Sequence, residues 1–257
     1  MTSDTPNAHD PRRSLELLWG RHEPGRRGPK PKLSLEEVIA AAIAIADREG
    51  VEALSIRRVA EKVGLSPMAL YTYAPSKAEL LELMYDRAMG ELEAPDPALP
   101  GWREKLEAVA RQLWALGHRH PWMMRIATHR PPLGPNFMQR METVFRAIDG
   151  VGLDELEMEL VEGLLTDYVR GAVRSALEAR EVEQRSGMTD EQWLAIAEPT
   201  LMEILDPEAF PVLHRVGEAL MAAYDGAFDR TRGFEFGLQR VLDGIEMFIA
   251  RKRGATA

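Results

Sequence analysis

The clearest candidates for chemistry are basic side chains near the start of the chain. Residues 21–32 carry a net charge of +4, because they hold five basic residues and one acidic residue: Arg21, Arg26, Arg27, Lys30, Lys32 and Glu23. A short cationic arm ahead of a helix favours contact with the phosphates of nucleic acid. A solvated tail with incidental charge is the alternative. The sequence that follows the arm decides between them.

A helix-turn-helix pattern follows, over residues 56–73. Ala60 is small where two helices nearly touch, and four residues later Gly64 can adopt the positive φ that the tight turn requires. Ser66 and Pro67 are typical of an N-cap and a first helical residue. Four apolar residues fall on the shared inner face: Val59, Val63, Leu65 and Leu70. A generic helical hairpin would match some of these features, but here all of them agree in register.

The elements that must position this pattern are helices. Apolar residues recur at helical spacing from Leu35 to Ala46, with Ser34 and Glu37 as a capping box ahead of them and Gly50 after them. A further helix, led by a Ser-Lys pair, is expected over residues 76–90. The sequence has no sustained alternation of apolar and polar residues, so we predict an all-α fold.

Composition and charge narrow the class of protein. The 257 residues are 45% hydrophobic and 28% charged and include no cysteine, which excludes disulfides, thiolate metal sites and thiol catalysis. The net charge of −9 lies wholly beyond residue 90, because residues 1–90 hold 13 basic and 13 acidic residues. No apolar run reaches the ~18 residues that span a bilayer, and no signal pattern leads the chain, so we expect a cytoplasmic protein.

Prolines near residue 95 predict a domain boundary. We expect a flexible basic arm over residues 1–32, a three-helix helix-turn-helix DNA-binding domain over 33–90, and a second helical domain over 91–257. Within the last, the predicted helices cover 101–120, 121–129, 136–148, 153–184, one segment each after Thr189 and Asp206, and 233–251.

The segment from Leu33 to about Met89 resembles the DNA-binding domain of the TetR family of transcriptional repressors. The motif is LSIRRVAEKVGLSPMALYTYAPSKAELL, in which LYxY followed by P-S-K-x-E-L is a fairly specific signature. More weakly, RHPW, RPPLGPN and FEFGLQRVLDGIE are similar to the C-terminal domain of the tetracycline-repressor class. The resemblance implies a homodimer joined by the helix over 153–184 and the last helix. It also implies a small-molecule pocket beneath the DNA-binding domain, and hence a repressor that a ligand releases from a palindromic operator.

Several residues are expected to contact DNA. By the resemblance, Arg57 contacts bases, and Tyr71 and Lys77 contact phosphates; a surface ion pair, a core position and a solvated charge are the respective alternatives. The arm would add minor-groove or backbone contacts. The full set is Arg26, Arg27, Lys30, Lys32, Ser55, Arg57, Pro67, Met68, Tyr71, Thr72, Tyr73 and Lys77.

Aromatic, His and Met residues concentrate around two breaks in the helical pattern, HRHPWMM and THRPPLGPN. Residues that bracket such breaks favour a cavity, although a plain core is the alternative. The expected lining is Trp114, His118, Trp122, His129, Phe137, Met141 and Tyr168. These side chains suit a mostly apolar, planar or polycyclic ligand, neutral or cationic, with some hydrogen-bonding groups.

Neither a metal nor a cofactor is expected. His118 and His120 cannot share one helix face, and no carboxylate stands at ligand spacing from them. By the resemblance, the position of the histidine that holds magnesium in the tetracycline repressor is Ile126 here, so magnesium–tetracycline is not the expected ligand.

Two apolar stripes predict a homodimer, because packing within one chain covers only part of them. One stripe lies on the last helix: Phe234, Leu238, Val241, Leu242, Ile245, Phe248 and Ile249. The other lies on the helix over 153–184: Leu160, Leu164, Tyr168 and Ala172.

No catalytic motif is present, so we predict no enzyme. The remaining alternative to a repressor is a helical adaptor or interaction protein with a vestigial helix-turn-helix.

Overall fold

The computed structural model describes residues 10–21, 33–126, 131–222 and 230–255. Over these ranges the chain forms eleven α-helices and two short 3-10 helices, over Val51–Ala53 and Pro121–Arg125, and no strand. The α-helices are α1 (Pro11–Leu18), α2 (Leu35–Glu49), α3 (Ile56–Lys62), α4 (Pro67–Leu70), α5 (Lys77–Met89), α6 (Trp102–Arg119), α7 (Pro135–Ile148), α8 (Glu155–Ser186), α9 (Asp190–Ile204), α10 (Pro211–Ala222) and α11 (Arg230–Ala255). The predicted all-α fold is confirmed.

The head, which comprises α2 to α5, has the local structure that its sequence predicts. Ser34 and Glu37 form the capping box at the start of α2, with each side chain bonded to the other residue's backbone N–H. Gly64 has φ of 71°, so the turn between α3 and α4 needs the conformation that glycine adopts without strain. Ala60 is completely buried, because α3 and α4 approach each other there.

The helix α1 corrects part of the prediction of a flexible basic arm over residues 1–32, because residues 11–18 of it are helical and pack on the head. The Asp10 carboxylate accepts a hydrogen bond from the backbone N–H of Arg12 (3.0 Å), and Pro11 begins the helix. Leu17 joins the core of the head, and the indole N–H of Trp19 donates to the carbonyl of Leu133 (2.9 Å). The Asp-Pro pair is the signal that sequence reasoning overlooked.

The body, which comprises α6 to α11, packs α6, α7, α8 and α11 around a second core. The segment predicted as a helix over 121–129 is instead the 3-10 turn Pro121–Arg125. The helix predicted after Asp206 begins later, at Pro211. None of the residues of α9 is buried. No helix in the described ranges has the length and apolar character needed to cross a membrane.

The stripe predicted on the last helix is mostly internal to the protomer. Five of its members pack into the core of the body: Phe234, Leu238, Leu242, Ile245 and Ile249. The apolar side chains that α8 and α11 leave exposed include three members of the predicted stripes and three further residues: Leu160, Leu164 and Phe248, and Leu156, Phe236 and Met247. A partner subunit would therefore meet this second set, which we call the outer stripe.

Candidate nucleic-acid interface and ligand cavity

The helices α3 and α4 each begin at a serine cap. The hydroxyl oxygen of Ser55 accepts the backbone N–H of Arg58 (3.2 Å), and that of Ser66 accepts the N–H of Ala69 (3.2 Å). Pro67 is the first residue of α4 and is exposed. The oxygen of Ser55 is therefore engaged in capping, so its first role is to fix where α3 starts.

The outer surface of α3 and α4 holds side chains with no partner in the described chain. Arg57 is exposed and forms no ion pair or hydrogen bond there. Its neighbour Arg58, by contrast, forms an ion pair with Glu49. Met68 is 76% exposed and Tyr71 45% exposed. These observations disfavour the alternatives of a salt-bridged Arg57 and a core Tyr71, and leave one cationic, one apolar and one phenolic side chain facing outward.

Three of the residues expected to contact DNA also hold the head together. Tyr73 is half-buried and its hydroxyl donates to the carbonyl of Leu33 (2.9 Å). Thr72 donates to Ala69 (2.6 Å), and the ammonium of Lys77 donates to the carbonyl of Val51 (3.1 Å). Tyr73 is therefore a brace between α4 and the start of α2. Arg26, Arg27, Lys30 and Lys32 lie outside the described residues.

A cavity of about 180 Å³ lies between α5, α6, α7, α8 and the 3-10 turn. Its lining comprises Tyr85, Met89, Leu113, Leu116, Gly117, Met123, Met124, Pro131, Phe137, Arg140, Glu162, Gly163, Thr166, Asp167, Val169, Arg170 and Val173. A second cavity of about 170 Å³ shares Met89 and Arg140 with it. The position beside the 3-10 turn and Pro131 agrees with the predicted link between helix breaks and a cavity.

Of the seven residues expected to line a pocket, Phe137 alone is among the lining residues of this cavity. Trp122 is 1% exposed and belongs to the core of the head. Met141 lies beside Arg140 on α7 but outside the lining, and His129 lies outside the described residues. The remaining three residues, Trp114, His118 and Tyr168, meet α11 or each other elsewhere in the body.

Trp114 and Tyr168 contact Phe234 on the last helix, whereas His118 packs on Trp114 and lines a separate cavity of about 410 Å³ beside the start of α9. Trp114 stacks on Phe234 with ring centroids 4.3 Å apart, and its other neighbour is His118, also at 4.3 Å. The Tyr168 hydroxyl donates to the carbonyl of Phe234 (2.6 Å). These aromatic side chains fill the α6–α8–α11 contact, which is why they do not converge on the cavity.

The polar wall of the cavity is a buried ion pair that sequence reasoning missed. The guanidinium of Arg140 pairs with Glu162, and their side chains are only 5% and 9% exposed. Thr166 accepts from Arg140 Nη2 (2.6 Å) and donates to Glu162 Oε1 (2.7 Å). The available signal was a charged residue in an apolar stripe, because Arg140 precedes the buried Val144 and Ile148 at spacings of four.

The imidazole of His120 joins the head to the body. It is buried, with Nδ1 2.7 Å from Asp47 on α2 and Nε2 3.3 Å from Glu91 just beyond α5. The indole N–H of Trp122 donates to the same oxygen of Asp47 (2.7 Å). Burial raises the pKa of Glu91, but hydrogen bonds from Arg119 and His120 outweigh it and hold that pKa below its ordinary value.

A second link joins α5 to the start of α7. The Asp86 carboxylate accepts hydrogen bonds from the backbone N–H of Phe137 (2.9 Å) and the side-chain amide of Asn136 (3.0 Å). A Cβ at Gly134, the N-cap of α7, would overlap the Asp86 carboxylate. Burial raises the pKa of Asp86 against these hydrogen bonds, which lower it. Across the described ranges, no cluster of three histidines and carboxylates could hold a metal ion.

An exposed helix-turn-helix on a helical body with an internal cavity defines a DNA-binding transcriptional regulator. Residues 38–84 match the family model "Bacterial regulatory proteins, tetR family", and residues 94–249 match "Tetracyclin repressor-like, C-terminal domain". Along its whole length the chain is 42% identical to the HTH-type transcriptional repressor DrrR1 of Streptomyces coeruleorubidus, and it covers 93% of that protein. The chain therefore belongs to the TetR family.

Solved structures agree with this assignment. The apo structure of ActR from Streptomyces coelicolor has a TM-score of 0.69 and 26% identity, with 90% of this chain and all of that chain covered. ActR in complex with actinorhodin has the same TM-score and 28% identity, with 83% and 95% covered. Regulators of this family bind operator DNA and small molecules and act as dimers. Family membership confirms the predicted regulator and the prediction that the chain is not an enzyme.

Proposed function

We propose that this chain is a cytoplasmic homodimeric repressor, that α3 and α4 bind a palindromic operator, and that a small molecule in the cavity releases it. The observation that carries the proposal is that neighbouring side chains on the head differ in whether they have a partner within the chain. Arg57, Met68 and Tyr71 face outward without partners, whereas Arg58 and Tyr73 are tied to the head itself. A guanidinium suits guanine, and apolar side chains suit thymine methyl groups.

The outer stripe supports the dimer. Leu156 is 78% exposed and Leu160 71% exposed on α8, and Phe236 is 66% exposed on α11. A Cβ at Gly171 or Gly244 on these helices would meet no atom within 4 Å, so a partner helix can approach closely there. A two-fold axis through this surface would present two recognition helices to half-sites about 34–36 Å apart or somewhat more.

The cavity supports control by a ligand, because α5 forms part of both the cavity wall and the core of the head. Tyr85 and Met89 line the cavity, while Leu80 and Met84 on the same helix pack in the core of the head. A ligand that prefers a different position of α5 would change the spacing of the two heads. It would weaken operator binding by its difference in affinity for the two arrangements, and by no more.

Selection of bound duplexes from a random DNA pool tests the operator. We expect a palindrome, with an affinity that falls steeply with salt as counterions are released. Arg57→Ala should weaken binding and relax one position of each half-site. Arg57→Lys is the matched control. It should retain the slope of log affinity against log salt and lose the same base preference, because lysine keeps the positive charge but lacks the paired N–H donors of the guanidinium.

The basic arm has its own test, since it lies outside the described residues. Changing Arg26, Arg27, Lys30 and Lys32 together to glutamine leaves α1 in place and should flatten the plot of log affinity against log salt. An unchanged slope would remove the arm from the interface. A chain that selects no sequence and shows no salt-dependent affinity for DNA would instead favour the adaptor alternative.

A further inference from the structure

The helix α1 lies alongside α5 and runs in the same direction. At its start, the guanidinium of Arg13 lies 3.9 Å from the carboxylate of Glu79, in the first turn of α5. At its end, the indole N–H of Trp19 donates to the carbonyl of Leu133 (2.9 Å), close to the first turn of α7, which Asp86 on α5 holds. From residue 13 to residue 19 a helix rises about 9 Å, and from residue 79 to residue 86 about 10.5 Å, so the two helices are aligned along their length.

One end of α1 is fixed to the head by burial, and the other reaches the body by a hydrogen bond. Leu17 is buried and belongs to the core of the head. Trp19 is exposed, and the carbonyl that its indole reaches lies 114 residues further along the chain. A helix that served only to cover the head would need no contact of this kind.

The carbonyl of Leu133 belongs to a short segment ahead of α7, residues 131–134, which we call the rim. Pro131 lines the cavity, and Gly134 is the N-cap of α7. Among the described lining residues, Pro131 alone lies outside the helices and the 3-10 turn. A backbone without helical hydrogen bonds yields more readily than a packed helix. The rim is therefore the wall of the cavity that moves most easily.

The size of the cavity requires such a movement. Small-molecule sites usually enclose ~300–1,000 Å³, whereas this cavity holds about 180 Å³. A ligand of ordinary size must therefore displace at least one wall. Displacement of Pro131 shifts Leu133 relative to Trp19 and breaks the hydrogen bond between them. The same shift carries the first turn of α7 away from Asp86.

We propose that α1 is a strap that holds the rim to the head, with Trp19 as the positioning residue that sets how readily the effector cavity opens. The inference rests on the proposed function only in that it takes this cavity as the effector site. A ligand that widens the cavity must break the bond from Trp19. The bond therefore lowers the apparent affinity for ligand by the factor by which it favours the closed arrangement, in which the rim is bonded to α1. The strap thus raises the ligand concentration at which DNA is released.

Amide hydrogen exchange on the full-length protein measures opening of the rim with no ligand added. The reporters are the backbone N–H groups of Phe137 and Met138, which donate to Asp86 and to the carbonyl of Gly134 at the start of α7. Trp19→Phe keeps an aromatic ring and removes the indole N–H. One hydrogen bond changes an equilibrium constant by roughly two- to tenfold, so exchange at both reporters should become about two- to tenfold faster.

Two further variants separate a strap from a helix that only covers the head. Leu133→Ala is the matched control, since it shortens an exposed side chain and keeps the accepting carbonyl, so exchange at Phe137 and Met138 should not change. Leu17→Ala loosens the anchor in the head and leaves Trp19 intact. It should accelerate exchange at both reporters as well, because a strap needs both of its ends.

The distribution of the effect along the chain decides between the two roles. Unchanged exchange at Phe137 and Met138 in Trp19→Phe would overturn the strap. Equal acceleration at buried amides of α8, such as that of Val169, would also overturn it, because it would report a general loss of stability. If Leu17→Ala accelerates exchange in the head alone, α1 is a cover for the head and the inference is wrong.

Operator DNA separates the strap from the proposed function. The operator duplex obtained by selection should slow exchange at both reporters in the native protein, because DNA binding and the closed arrangement favour each other. A strap effect in the free protein, with no effect of the duplex on exchange, would leave the strap standing and refute control of DNA binding through the cavity.

Discussion

Replacing Asp86 with alanine should loosen the joint between the head and the body. The carboxylate on α5 accepts two strong hydrogen bonds at the first turn of α7 and adds a negative charge at the positive end of that helix. Its loss leaves the backbone N–H of Phe137 without an acceptor. From typical capping and buried-donor penalties, we expect a loss of about 2 kcal/mol in the free energy of unfolding.

The neighbouring Gly134 allows the same joint to be broken from the other side. Gly134 has φ of −81°, which alanine adopts freely, but the three atoms nearest to a new Cβ all belong to Asp86. Gly134→Ala must therefore displace the carboxylate, which breaks its hydrogen bonds and costs a similar ~2 kcal/mol. In the Asp86→Ala background no carboxylate remains to displace, so the second substitution should cost about 0–0.5 kcal/mol.

Urea unfolding of the native protein, the two single variants and the double variant measures this coupling. We expect the double variant to be nearly as stable as Asp86→Ala alone. Additive losses would refute the reasoning, because they would mean that the Gly134 backbone and the Asp86 side chain do not share one space. Asp86→Asn, which retains one carbonyl oxygen, should fall between the native protein and Asp86→Ala.

Three further predictions concern the core, pH and assembly. Trp122→Ala should cost about 3–5 kcal/mol in urea unfolding, whereas Trp122→Phe should lose mainly the hydrogen bond to Asp47. The folded-state pKa of Glu91 is lowered, so its stabilisation is present above its ordinary pKa of 4.5 and is lost as the pH falls further. Glu91→Gln should remove that part of the acid dependence of the urea midpoint, and an unchanged profile would contradict it. Leu160→Glu in the outer stripe should give monomers by sedimentation at micromolar concentration, with the helical circular dichroism retained.

The sequence predicts the head well because local rules and tertiary packing agree there. A capping serine, a small residue at Ala60 and a glycine at Gly64 each fix one feature of the helix-turn-helix, and the structure has all three. It was harder to predict which polar side chains of the head are exposed and which bond within it. Tyr73 carries a hydroxyl suited to DNA, yet it bonds to Leu33, a partner that lies 40 residues away in the sequence.

The cavity could be located from the sequence, but its lining could not. The helix breaks indicated the place, while aromatic content pointed to side chains such as Trp114 that pack against Phe234 instead. Which face of α6 meets which helix depends on long-range packing, and helical periodicity carries no information about that choice. The polar wall was visible only as an anomaly, a charged Arg140 at an apolar position.

Because α5 belongs to both the head and the cavity wall, ligand binding and DNA binding influence each other. Thermodynamic linkage makes the effect of each on the affinity for the other equal. If a ligand in the cavity lowers operator affinity by some factor, operator DNA must lower the affinity for that ligand by the same factor. The concentration at which the protein responds is therefore not a constant of the cavity. Protein held on DNA responds only at higher ligand concentrations, while free copies take up ligand first and act as a buffer. The ratio of protein to operator sites thus becomes a second control on the threshold.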